Sequence, residues 1–435
     1  MNKPNILFIL ADDLGWGDVS YHGSPIRTPN IDRLADQGLE LDQHYVCPLC
    51  TPSRISLLTG RYPSRFGRNA TRPCDTPSLP DGYVTMAGML KQAGYATGLF
   101  GKWHMGSEPK YYPGAYGFDE SYGSLAGGVD PYSHRYKRGP FSHTWHRNGQ
   151  RVDEQGHATD LITDEAVQWI GQQTKPWFCY VPFTAVHTPI IPREDWLDSY
   201  HGQSFDPDPT RDRSFKMYAA YASHMDHAVG RLIETLKCRG LSQDTIVVFT
   251  SDNGAVTVDP STDTAKYPGR YLDMPRTGSN DPLRGHKAQL YEGGIRTPAA
   301  MAWPGTLSPG KRTQPIAMTD WMPTFASILD LQLENDPCWD GRDIWGTLQD
   351  DAPADHERAL YWNLTHDRFA VRQDGWKLIR THRDDGVERQ LFHIDTDPKE
   401  TNDVVGDHAQ RVKQLDGLID QEHALDDAAK RADAQ

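Results

Sequence analysis

The chain is short of cysteine, of long apolar runs and of positive charge. Its six cysteines, at 47, 50, 74, 179, 238 and 338 of 435 residues, are too scattered for a disulfide framework and lack the doubled C-x-x-C spacing of a zinc knuckle. Cys47 and Cys50 form a single C-x-x-C. No apolar stretch approaches the roughly 18 residues of a membrane helix, and Met1-Asn2-Lys3-Pro4 leads into the first strand with no signal peptide before it. As written the chain reads as cytoplasmic, or as periplasmic or secreted once a leader has been removed. Lys and Arg number 45 against 59 Asp and Glu, a formal net charge of −14, which argues against nucleic acid and anionic membrane as partners. A site for an anionic substrate must concentrate its own Arg, Lys and His. No internal repeat is visible, and the length suggests a large domain with a smaller companion.

What the chain has is short apolar runs that stop at chemically active residues. Asn5 to Leu10, N-I-L-F-I-L, reads as a central strand of a parallel sheet and ends in Asp12 and Asp13. Adjacent acids at a strand end also serve as turn and cap residues. Tyr95 to Trp103 reads as a second strand, with Lys102 and His104 two apart and so expected on one side of extended chain. Trp177 to Phe183 leads to His187, and Thr245 to Phe249 feeds Asp252-Asn253-Gly254. Leu283 to Arg296 carries Lys287 and a Gly293-Gly294 pair suited to a tight backbone approach. The carboxyl ends of strands are where open α/β sheets bind ligands. Asp12, Asp13, Asp252 and Asn253 make an all-oxygen donor set, which suits calcium or magnesium rather than zinc.

Between these runs, helices are expected from Thr28, stopping at Gly38, and over Thr85–Ala93, Leu161–Gln172 and Phe215–Lys237, the last with Met217 and Met225 as core filling. Tyr111 to Gly156 lacks periodicity and reads as a long functional loop, in which Tyr132, His134, Arg135 and Trp145 suit a sugar-facing wall. Beyond Asp330 the pattern changes. Short amphipathic strands at 361–363, 369–371, 376–380 and 390–393 predict an antiparallel sheet, followed by a polar helix from Asp407. The expected domains are residues 1–335 and 336–435.

The most informative stretch is Cys50 to Arg61, C-T-P-S-R-I-S-L-L-T-G-R. Its helix is expected from Ser53, which sets Cys50 just before a helix amino terminus, a position that favours negative charge. A buried structural thiol is the plain alternative for Cys50. The composite pattern resembles the signature of the type I, formylglycine-dependent sulfatases, in which the cysteine is oxidised to an aldehyde whose hydrate is the nucleophile. Pro48 and the following Pro52-Ser53-Arg54 fit that signature better than a redox pair. A diol has a physical advantage over serine: it expels sulfate by collapsing to the aldehyde, instead of leaving a stable sulfated enzyme.

The resemblance runs from Asn5 to about Val404 and implies an α/β fold of the alkaline-phosphatase type. That fold is a mostly parallel sheet sandwiched by helices, with a smaller C-terminal antiparallel sheet plus helix. Within the family, G-K-W-H-M-G, Y-S-H, S-D-N-G and L-R-G-H-K look most similar to N-acetylgalactosamine 4-sulfatase, also called arylsulfatase B. It implies that Asp12, Asp13, Asp252, Asn253 and modified Cys50 surround one calcium ion, and that Arg54 holds the diol. Asp252 would take the proton of the attacking hydroxyl. Lys102, His187 and Lys287 would grip the sulfate and the leaving oxygen, and His104 would deprotonate the second hydroxyl. His134 is a further expected substrate contact. The implied partners are a sulfated carbohydrate or aryl sulfate and a formylglycine-generating enzyme. The rival readings are a phosphonate or phosphate ester hydrolase using the same diol, and a catalytically silent sulfoglycan-binding protein.

Overall fold

Asn5–Ala11 forms a strand in which every residue is buried, and the sheet that carries the site is built outward from it. The structure is a computed structural model and describes residues 3–73, 75–76, 78–136, 139, 142–258, 273–332, 337–353 and 355–432. Among the described residues ten strands make the main sheet, in the order Gly310–Arg312, Leu39–Leu41, Ala299–Ala302, Thr245–Ser251, Asn5–Ala11, Trp177–Pro182, Ala96–Lys102, Glu120–Ser124, Trp145–Arg147 and Gln150–Arg151. The five from Thr245–Ser251 to Glu120–Ser124 run parallel.

Alternation along the first strand explains the layering. Leu7 and Ile9 face one apolar cluster with the helices Pro29–Gln37, Ala158–Gln172 and Pro209–Cys238. Ile6, Phe8 and Leu10 face a second, with Cys50–Thr59, Met86–Gln92 and Trp321–Ile328. A strand covered on both sides must be apolar at every position, which is why the run is continuous rather than alternating.

Two expectations change. Tyr111–Gly156 is not one loop: Glu120–Ser124, Trp145–Arg147 and Gln150–Arg151 extend the main sheet. These strands are short, and Glu120–Ser124 pairs through glycine. A Cβ on Gly123 would stand 2.3 Å from the Gly101 carbonyl oxygen, so close backbone approach replaces the apolar side chains that would have marked a strand. The helix of the signature starts at Cys50 itself, with Leu49 as its cap. Pro52 sits in the first turn, where a missing N–H costs no helical bond.

The C-terminal sheet has four antiparallel strands in sequence order, Leu360–Leu364, Arg368–Gln373, Trp376–Arg383 and Gly386–His393. The helix Ala409–Ala432 covers it with Leu415 and Ile419. The expected boundary at 335/336 lies outside the described residues. This sheet meets the larger unit at Lys377, whose Nζ lies 2.7 Å from Glu292 and 2.7 Å from Glu400, all three side chains fully buried.

Candidate active site

Four neighbouring parallel strands deliver the predicted residues to one edge of the sheet. Asp252 and Asn253 follow Thr245–Ser251, Asp12 and Asp13 follow Asn5–Ala11, His187 lies beyond Trp177–Pro182, and Lys102 ends Ala96–Lys102. Cys50 reaches the same edge from the first turn of its helix. Its Sγ is 3.4 Å from Asp12 Oδ1 and 3.4 Å from Lys287 Nζ.

The charges are paired tightly. Lys102 Nζ donates to Asp12 Oδ2 at 2.6 Å, and Lys287 Nζ donates to both Asp13 oxygens at 2.6 and 2.8 Å. Arg54 donates through Nε and Nη2 to Asp252 Oδ2, at 3.2 and 2.7 Å. His187 Nε2 is 3.9 Å from Asp13 Oδ2, and its Nδ1 contacts the Thr188 carbonyl at 2.7 Å.

Burial splits the acids. It pushes the Asp12 carboxyl up to about 7 despite Lys102, with Asp252 and Asp13 adding to the rise. Burial would raise Asp13 too, but Lys287, His187 and Lys102 outweigh it and hold that carboxyl well below its usual range. Burial, with Asp252 and Asp12 nearby, drives the Cys50 thiol well above the ordinary thiol value. Such a thiol carries almost no thiolate at neutral pH and is inert as it stands. Burial, Lys102 and Arg54 keep His104 neutral, far below the ordinary histidine value.

The donor set fits a cation. Oxygens of Asp12, Asp13 and Asp252 and the Cys50 sulfur lie within 4.8 Å of one another. Asn253 Oδ1 is buried and has no hydrogen-bond partner among the described residues. An orphaned acceptor amid converging carboxylates is what a hard cation satisfies. A second group, His157, Asp160 and His224, is bound up in the fold: His224 Nε2 contacts Asp160, Arg193 holds the other Asp160 oxygen, and both His157 nitrogens contact main chain.

Of these residues Asp13, Cys50, His104, His187 and Lys287 line a cavity of about 240 Å³, whose remaining wall includes Tyr136, Ile190, Val256 and Thr277. A larger cavity of about 620 Å³ lies beside the C-terminal sheet. Its arginines are paired with acids, Arg342 with Asp355, Arg358 with Asp320 and Arg372 with Asp395, and among the described residues it is lined by no cysteine, serine or lysine. Chemistry rather than size marks the site.

Lys102 and His104 do not share an extended chain, because the strand ends at Lys102 and His104 turns into the left-handed region at φ 58°. His104 nonetheless reaches the cavity. His134 does not line it: its ring stacks on Trp145 at 4.6 Å and its Nε2 contacts the Gly156 carbonyl, so the expected sugar-facing wall is interior at these two residues. Sequence reading also missed Asp75, 3.6 Å from His104 Nε2, and Tyr136. Asp75 falls in an irregular stretch with no period to flag it.

Known proteins resemble the chain throughout. The Sulfatase family model matches residues 4–331, and a model described as N-sulphoglucosamine sulphohydrolase, C-terminal, matches residues 286–424. Arylsulfatase J of Mus musculus is 31% identical, covering 95% of this chain and 75% of that protein. The N-acetylgalactosamine-6-O-sulfatase of Bacteroides thetaiotaomicron is 30% identical, with 96% and 93% covered. The crystal structure of Ps i-CgsB in complex with k-i-k-neocarrahexaose superposes with a TM-score of 0.82 at 28% identity, covering 100% of this chain and 98% of that one. The chain spans about two thirds of the length of the mammalian N-acetylgalactosamine-6-sulfatases it matches. These relatives do not specifically support the narrower likeness to N-acetylgalactosamine 4-sulfatase. Among the described residues no helix is long and apolar enough to cross a membrane. With its signature cysteine set among paired acids and lysines at the sheet edge, the chain belongs to the sulfatase family.

Proposed function

We propose that the chain hydrolyses a sulfate monoester on a terminal sugar, with aryl sulfates as surrogate substrates, after a formylglycine-generating enzyme has converted Cys50 to formylglycine. The observation that carries this reading is the state of Cys50. An unmodified thiol with its ionisation suppressed by burial, held against Asp12 and Lys287, is a poor nucleophile, whereas a neutral diol at that position needs no thiolate.

One diol hydroxyl attacks the sulfur while Asp252 accepts its proton. The sulfur–oxygen bond to the sugar breaks, and the departing oxygen takes a proton from His187 or Lys287. Lys102 and Lys287 neutralise the sulfate oxygens. Asp12, Asp13, Asp252, Asn253 and modified Cys50 would hold one divalent cation, calcium by the character of the donors, and it supplies positive charge to the reacting oxygens when bound. His104 then accepts the proton of the second hydroxyl, the carbonyl re-forms and sulfate leaves. Water rehydrates the aldehyde.

The 240 Å³ cavity suits a single ring rather than the interior of a polysaccharide, which favours exo action. Release of sulfate from a panel of defined sulfated mono- and disaccharides tests the reading. No release from any of them, by protein whose Cys50 is shown to be formylglycine, would overturn it in favour of a silent sulfoglycan-binding protein.

A further inference from the structure

His104 reaches the cavity with one ring nitrogen beside a carboxylate. Its Nε2 faces Asp75 Oδ1 at 3.6 Å, both side chains nearly buried, and its Nδ1 is buried with no hydrogen-bond partner among the described residues. Asp75 is itself fixed. Its Oδ1 accepts the Gly127 N–H at 3.0 Å, and its carbonyl oxygen accepts the Ser107 N–H at 3.0 Å. Gly127 also backs the imidazole so closely that a Cβ there would stand 2.2 Å from Nε2. On the main chain, His104 N–H donates to Leu125 O at 3.1 Å and Thr51, next to Cys50, donates to His104 O at 2.9 Å. The Nε2 edge of the ring is thereby confined, and the backbone, at φ 58°, is held at both its N–H and its carbonyl.

A neutral imidazole has one N–H and one lone pair, and a carboxylate beside one nitrogen decides which is which. Asp75 favours the proton on Nε2 and leaves the lone pair on Nδ1, the nitrogen with no protein partner. We infer that Asp75 is a positioning residue that sets the tautomer and orientation of His104 for release of sulfate from the enzyme. The inference rests on the function proposed above. In that step the second hydroxyl of the sulfated adduct gives its proton to Nδ1, the oxygen–hydrogen electron pair becomes the carbonyl bond, and the carbon–oxygen bond to sulfate breaks with its pair leaving on sulfate. Asp75 touches none of the reacting atoms and faces the Nε2 side of the ring throughout the step.

The step assigned to the pair lies after loss of the alcohol, so it makes a prediction that damage to the fold cannot imitate. Asp75→Asn keeps an oxygen for the Gly127 N–H and removes only the charge. With 4-nitrophenyl sulfate, kcat is expected to fall by about 10- to 100-fold, the scale on which partners of oriented histidines act. KM is expected to fall with it, so that kcat/KM stays within about 2-fold, because kcat/KM reports steps only through release of the alcohol. Rapid mixing should show a burst of up to one nitrophenol per active site, and mass spectrometry a sulfated adduct at residue 50. Asp75→Glu should recover part of kcat. A fall in kcat/KM equal to that in kcat, with no adduct, would overturn the inference, as would an unchanged kcat. Wild-type protein with formylglycine at residue 50 that cleaves no sulfate ester would instead overturn the proposed function itself.

Discussion

Arg54 Nη1 donates to the carbonyl oxygen of Lys102 at 2.7 Å, so the helix bearing the signature cysteine and the strand that presents Lys102 are held by one fully buried guanidinium. The same group forks onto Asp252 Oδ2. Three donors of one planar fork are thus in use, and lysine cannot reproduce that geometry. Arg54→Lys is expected to lower kcat by at least about 100-fold. It should also cost roughly 3 kcal/mol of stability, since it strands a buried carboxylate and a buried carbonyl. Retained turnover with an unchanged urea midpoint would show the fork to be incidental.

The intact mass of active protein should lie about 18 Da below the value for free cysteine at residue 50, from exchange of thiol for aldehyde. Cys50→Ala should abolish turnover while leaving the far-ultraviolet circular dichroism unchanged. Full activity at the unmodified mass would remove formylglycine from the mechanism.

Stripping divalent metal should inactivate the protein and lower its thermal midpoint, because a cation bound only by the folded state stabilises it by mass action. Calcium is expected to restore both better than zinc, given the oxygen donors around Asn253 Oδ1. Recovery with zinc alone would point to the rival phosphate ester hydrolase instead.

Acid sensitivity should trace partly to His44. It is fully buried, its Nε2 accepts the Trp321 indole N–H at 3.1 Å, and burial holds its imidazole down to about 3. The unfolded chain takes up this proton near pH 6.5 and the folded chain does not, so the contribution is complete above about 6.5 and is lost as pH falls toward 3. The slope is about 1.4 kcal/mol per pH unit for one group. Urea midpoints between pH 6.5 and 5 should fall more steeply for wild type than for His44→Gln. Parallel slopes would refute the assignment.

The edge of the sheet was legible because central strands of a parallel sheet are apolar throughout and stop abruptly. Asn5–Ala11 and Thr245–Ser251 each announce their acids in that way. The C-terminal strands were legible through alternation. His134 misled because a histidine near Trp145 reads equally as a sugar platform or as a stacked interior pair, and the 4.6 Å stacking depends on strands whose glycines hid them. Asp75 had no local signal at all. The Ser107 and Gly127 N–H groups fix it beside a His104 in left-handed conformation, and such a conformation in a non-glycine residue is decided by tertiary packing rather than by local preference.

Lys377 bears on how sequences of this kind can be recombined. The lysine comes from the C-terminal sheet, Glu292 from the start of the short helix Glu292–Ile295, five residues after Lys287, and Glu400 from the segment leading to the last helix, where it also accepts the Glu292 N–H at 2.7 Å. A graft that brought in a foreign C-terminal sheet without this lysine would enclose two carboxylates with nothing between them. The two units are heritable only as a matched set, and the C-terminal sheet is part of the mould in which the edge bearing Cys50 is cast.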